Sequence, residues 1–193
     1  REHAVRLAGE RGAHMVPSFH ADLVRGVASY WVEFFASFAT GEAPEVVFVP
    51  IGLGSGICAC AAARAHAGVR TRIVGVVSAH APAYRLSFEA GRAIEAPVST
   101  QLADGMACRV PEPQALAIIQ REVDEIVSVS DDEVAAAMRA FFADTHNVAE
   151  GAGAAPLAAL LQQRERWAGR RVGLSLSGGN VDSAQFARVL AAG

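Results

Sequence analysis

Short apolar runs rich in Val and Ile, such as VVFVP over 46–50, TRIVGVV over 71–77 and EIVSV over 125–129, recur between stretches whose Ala, Leu and Arg residues repeat at helical spacing. Strands alternating with helices in this way build βαβ units, which pair into a parallel sheet covered on both faces. The expected fold class is therefore α/β, an open, mainly parallel twisted sheet with helices on both faces. The pattern predicts strands near 14–17, 46–50, 71–77, 125–129 and 171–176. It predicts helices near 2–11, 21–40, 56–67, 81–90, 112–121, 131–144, 152–168 and 181–191. The sharpest start signal is Ser130-Asp-Asp-Glu133, a capping box in front of the Val134/Met138/Phe141/Phe142 stripe, which reads as core. Residues 91–111 carry no clear period and contain turn formers, so they are expected to form a long connection of the kind that serves function in compact domains.

Composition narrows the function. The chain has 193 residues, 52% of them hydrophobic, and a formal net charge of −3, enough for a full core and without the basic surplus of a nucleic-acid binder. Apolar stretches are broken well short of the roughly 20 residues that span a bilayer, and no basic segment precedes an apolar one at the start. A cytoplasmic protein is expected. Cys58, Cys60 and Cys108 form an odd set without the CxxC spacing of redox or zinc sites and read as small buried thiols. The six histidines show no paired spacing for a metal. Every one of the 17 basic residues is arginine; the sequence has no lysine.

Two stretches carry chemistry. The run ending at Pro50 passes into Ile51-Gly-Leu-Gly-Ser-Gly56 and then a helix. Glycines let backbone N–H groups approach an anion, and the helix start adds unpaired donors and the positive dipole end. The loop reads as a phosphate cradle or as a plain turn. A dinucleotide fingerprint fails, because Ile57 holds the third glycine position and no acid follows Val76-Val77-Ser78. A Walker motif fails for want of a lysine. The second stretch is the buried-looking strand Val172–Leu176, which breaks off at Ser177-Gly178-Gly179-Asn180. It reads either as a simple turn with Asn180 capping the last helix or as a polar station. Ligands of open parallel sheets sit beyond the carboxyl ends of the strands, so both stretches are expected to face one crevice. A phosphate at one end and a hydroxyl at the other suit pyridoxal phosphate.

LSLSGGNVD, FVPIGLGSG, LADGMACRVP, VSDDEVAAAM and HNVAEGAGAAPLAALL together span most of the chain. The set resembles the pyridoxal-phosphate-dependent threonine dehydratase and serine racemase/dehydratase family, of the tryptophan synthase β-like fold. The resemblance implies that Gly52, Leu53, Gly54, Ser55 and Gly56 form the phosphate loop, with Leu53 and Ser55 departing from the family's run of glycines. It implies that Ser177, followed by Gly178, meets the pyridine nitrogen, that Glu150 is an acid near the ring and that Gly105 is a backbone position beside it. The implied cofactor is pyridoxal 5'-phosphate, and the implied partners are a small hydroxyamino acid and a second copy or more of the chain, as a homodimer or homotetramer.

The implied function is a threonine (hydroxyamino-acid) ammonia-lyase that eliminates water to give a 2-oxo acid and ammonia. A neutral hydroxyl facing the ring nitrogen favours elimination over transamination. The alternatives are a serine racemase/dehydratase, a cysteine synthase or a hydroxyectoine-utilisation dehydratase of the same fold, or a non-catalytic module. The family anchors its cofactor on a lysine in an SFKxRGA-like stretch that these residues lack. Residues 1–193 are thus expected to be a single α/β domain, the large-domain part, with the lysine-bearing N-terminal region outside this chain, and no catalytic residue is expected within it. Some members hold a divalent cation at positions matching Val77, Ala81 and Ala83, which offer no carboxylate, so no metal is expected.

Overall fold

The computed structural model describes residues 2–192. Its elements follow in the order α1 (Glu2–Arg11), α2 (Ala21–Ala36), β1 (Val46–Pro50), α3 (Ser55–Ala67), β2 (Arg72–Ser78) and α4 (Ala83–Ala90). A short 3₁₀ turn (Asp104–Met106) precedes α5 (Pro113–Glu122), β3 (Glu125–Val129), α6 (Asp131–Thr145), α7 (Gly151–Gln162), β4 (Val172–Leu174) and α8 (Ser183–Ala191). The strands form one parallel sheet in the order β3-β2-β1-β4.

Strand periodicity assigns the two faces. Val47 and Val49 of β1 point into a core with Trp31 and Phe35 of α2, Ile57 of α3 and Ile119 of α5. Val46 and Phe48 point the other way, against Met138 of α6 and Ala155 and Ala159 of α7. Helices thus cover both sides, as a parallel sheet requires. The order also reverses at β1. After β1 the chain runs through α3 to β2 and on to β3, then crosses back through α6 and α7 to pair β4 with the free side of β1. Beyond the carboxyl ends of β1 and β4, the connections diverge to opposite faces and leave a crevice.

Local chemistry explains the best-defined ends. Ser130 Oγ accepts from the N–H of Glu133 at 3.2 Å and Glu133 Oε2 accepts from the N–H of Ser130 at 2.7 Å, the reciprocal cap that the spacing predicts. The last helix is capped by Asp182, whose Oδ1 accepts from the N–H of Ala184 at 2.8 Å, and not by Asn180.

Several boundaries differ from the pattern. Residues 14–17 form no strand, because Pro17 lacks a ladder donor and the segment leads directly to α2, where His20 Nδ1 caps by accepting from the Asp22 N–H at 3.2 Å. Helix α2 stops at Ala36 and α7 at Gln162, ahead of a run of turns over 163–169 that ends at Gly169 with φ 73°. The run 171–176 contributes only Val172–Leu174, at an edge of the described sheet, and Leu176 is exposed. Its apolar side chains Val172 and Leu174 pack half-buried against the α6 and α7 side, while Gly173 faces Phe34 on the other. No described helix is long and apolar enough to cross a membrane.

Candidate functional site

The crevice at the β1/β4 divergence contains a cavity of about 360 Å³. Gly52, Leu53 and Gly54 line it from the β1–α3 loop, Ser55 and Gly56 from the first turn of α3, Ser177 from the segment just after β4, Gly105 from the long connection and Glu150 from the N-cap of α7. Gly178 lies just behind. A Cβ added there would come within 2.5 Å of Glu150 Oε1, so the missing side chain lets the Ser177–Gly178 turn pass beside the carboxylate. The N–H of Glu150 donates to Gly178 O at 3.0 Å, which joins the two segments.

The glycine loop is built for backbone donors. Gly54 has φ 101°, in the left-handed region, and an added Cβ would meet Ala115 Cβ at 2.7 Å, so no other residue fits without displacement. The turn presents the N–H groups of Gly52 to Ile57 without a protein acceptor among the described residues. Cys58 N is the first to bond, to Gly54 O at 3.0 Å. The first turn of α3 holds no acid. An anion here meets amides and the positive helix end, not a side-chain cation.

Two aromatic side chains fix the loop. Tyr84, buried beneath it, donates from its hydroxyl to Leu53 O at 2.8 Å and accepts from the N–H of Glu112 at 3.0 Å. Burial pushes this phenol above its ordinary range, which keeps it a donor. Trp31 Nε1 donates to Gly56 O at 3.2 Å, from α2 to the start of α3.

The connection over 91–111 reaches the cavity with Gly105 and Met106. It is tied down by Ser99 N to His80 O at 2.8 Å, by Thr100 Oγ1 to Asp131 Oδ1 at 2.7 Å and by Gln101 N to Asp131 Oδ2 at 2.8 Å. Sequence reasoning missed Val27, Tyr30 and Met106 as lining residues. Only the aperiodic stretch around Met106 carried a signal, since α2 reads simply as an amphipathic helix.

The cysteines lie outside the cavity lining. All three are free and buried, and burial pushes the Cys58 thiol up to about 12 and raises Cys60 and Cys108 as well, which keeps them in the unreactive thiol form. Val77, Ala81 and Ala83 are buried apolar positions, and among the described residues no cluster of three or more His, Cys, Asp or Glu side chains gathers to hold a metal.

A family model described as pyridoxal-phosphate dependent enzyme matches residues 1–178. The chain belongs to that family. Among its relatives, L-threonine ammonia-lyase of Geobacter sulfurreducens is 38% identical over 182 residues, covering 93% of this chain and 44% of that protein. Phenylserine dehydratase of Ralstonia pickettii is 33% identical over 190 residues, covering 97% of this chain and 57% of that protein. Among solved structures, a threonine deaminase from T.th. superposes with a TM-score of 0.84 at 32% identity, covering 92% of this chain and 66% of that one. The architecture is that of the tryptophan synthase β-like enzymes of this cofactor class. The chain spans about half the length of these two sequence relatives.

Proposed function

We propose that these residues form the cofactor-holding part of a pyridoxal-phosphate-dependent ammonia-lyase that removes water from a small β-hydroxy-α-amino acid of the threonine type, yielding a 2-oxo acid and ammonia. The observation that carries this reading is the joint lining of one cavity by the glycine loop and Ser177, from adjacent strands at the point where the sheet order reverses. The relatives support the substrate class, since threonine and phenylserine share a hydroxyl on the β-carbon.

The residues present suit the cofactor. Free N–H groups from Gly52 to Ile57 and the α3 dipole would hold its phosphate, in a turn whose positive φ at Gly54 and close packing against Ala115 and Tyr84 require glycine. Leu53 and Ser55 leave those backbone donors in place. The volume is within the range of small-ligand pockets. Bound pyridoxal phosphate supplies an electron sink for the bond electrons of the amino acid's α-carbon.

Ser177 would meet the ring nitrogen with a neutral hydroxyl, which does not hold a proton there as a carboxylate would. Glu150, whose carboxylate has no hydrogen-bond partner among the described residues, is available to accept from a ring substituent or from the bound amino acid, and Gly105 closes the adjacent wall. Moving the α-proton requires a base, and the amine that does this in the family has no counterpart among these 193 residues. We assign it to a part of the protein outside them.

The test uses the full-length protein loaded with pyridoxal phosphate. Expected are 2-oxobutyrate and ammonia from L-threonine, and an altered cofactor absorption band in Ser177→Ala. Formation of D-serine from L-serine without a 2-oxo acid would move the protein to the racemases. No cofactor band would overturn the reading.

A further inference from the structure

Ser175 carries the one buried side-chain oxygen among the described residues that has no hydrogen-bond partner. The other buried hydroxyls are paired. Thr71 Oγ1 donates to Pro44 O at 2.7 Å, Ser78 Oγ accepts from His80 N at 3.1 Å, and Ser87 Oγ accepts from Ile94 N at 2.8 Å. A buried orphan of this kind is destabilising, and natural proteins retain such groups mainly where an unseen water or a functional role uses them.

The position of Ser175 follows from strand periodicity. Val172 and Leu174 pack with the α6–α8 side of the sheet. Gly173 faces the other side, where an added Cβ would meet Phe34 Cζ at 2.6 Å and Val47 Cγ1 at 2.8 Å. Ser175, two residues on, continues on that second side, and Ser177 lies in the segment beyond the strand, where it lines the cavity. The backbone keeps its ladder through this point, with Ser175 N donating to Phe48 O at 3.4 Å one step past the Phe48–Leu174 pair, which sets Ser175 beside Val49. Val49, Tyr30 and Ser177 line the cavity. Ser175, 6% exposed, therefore lies under the cavity wall that Val49 forms, two residues before the Ser177 that lines the same cavity.

We propose that Ser175 is a positioning residue for Ser177, acting through one buried water. No direct bond joins the two hydroxyls, and the Cα atoms of residues two apart lie at most roughly 7 Å from each other, a gap that one water bridges with two hydrogen bonds in series. The water accepts from Ser175 and donates to Ser177 Oγ, which leaves the Ser177 proton as the group presented to the cavity. The orphan is thereby satisfied, and Ser177 is held as a donor rather than rotating freely. This rests on the assignment of Ser177 to the ring nitrogen.

The test is made on full-length, cofactor-loaded protein with Ser175→Ala, Ser175→Thr, Ser177→Ala and the double Ser175→Ala/Ser177→Ala. Ser175→Ala is expected to move the cofactor absorption band in the same direction as Ser177→Ala and to weaken pyridoxal phosphate binding roughly threefold to tenfold, the effect of one hydrogen bond. Ser175→Thr, which keeps the hydroxyl, restores both. The double variant matches Ser177→Ala, because the two hydroxyls act as one unit. A normal spectrum in Ser175→Ala while Ser177→Ala is altered would overturn this inference alone, as would additive effects in the double variant or failure of the threonine to restore. An unaltered Ser177→Ala would overturn the ring-nitrogen assignment, and this inference with it.

Discussion

At residue 84 a single oxygen serves two turns, since the Tyr84 hydroxyl bonds both Leu53 O and Glu112 N. Tyr84→Phe leaves a carbonyl and an amide without their partner, and we expect a loss of about 1–3 kcal/mol in urea unfolding. Gly54→Ala introduces a side chain at φ 101° into contact with Ala115. Its expected cost exceeds about 1 kcal/mol in the same measurement, together with weaker pyridoxal phosphate binding in a fluorescence titration. The role of Gly54 was legible in the sequence, because a glycine between a strand and a helix announces a special backbone angle. That of Tyr84 was not, because its partners are 31 and 28 residues away and no local pattern marks them.

Elements stand or fall with their ends. Ser130 and Glu133 satisfy each other's backbone donors at the start of α6, whose Val134, Ala137 and Met138 are buried. Ser130→Ala is expected to lower stability by about 1 kcal/mol, read as a shift of the urea midpoint with unchanged slope. The cap was readable because its geometry is confined to four consecutive residues. The extent of β4 was not: its apolar run looks like a buried strand, yet only Val172–Leu174 pair, with β1 alone. Whether such a run is central or marginal depends on which strands lie beside it. The long connection shows the same division, since its lack of period was visible but its delivery of Gly105 and Met106 to the cavity depends on anchors at His80 and Asp131.

Across the whole molecule, ion pairs join elements distant in sequence. Arg64 of α3 pairs with Glu122 at the end of α5 at 2.9 Å and also donates to Thr71 O ahead of β2 at 3.4 Å. Arg121, at 2.7 Å, and Arg64 hold the Glu122 carboxyl below its ordinary range. A carboxyl depressed in the folded state adds stability above its unfolded value, about 4.3, and loses it as pH falls through the lower folded value. Urea midpoints measured from about pH 5 to pH 3 should therefore fall less steeply in Glu122→Gln than in the parent protein. An equal slope would show that the cluster contributes nothing to acid sensitivity.

The sequence by itself determined the α/β class, the segments that become helices and most of the strands, the Ser130 cap and the glycine loop. Those features rest on side-chain periodicity, steric limits on backbone angles and capping, all settled within a few residues of the chain. The sequence also led to the expectation that Ser177 and the glycine loop face one crevice; only the tertiary structure decided that this comes about through β4 lying against β1, that Tyr30 and Met106 join the lining and that the Ser175 hydroxyl is left without a partner. Each of these depends on surfaces brought together from positions as far apart as Phe48 and Ser175, where burial on both faces of the sheet selects the neighbours and local preference has no say.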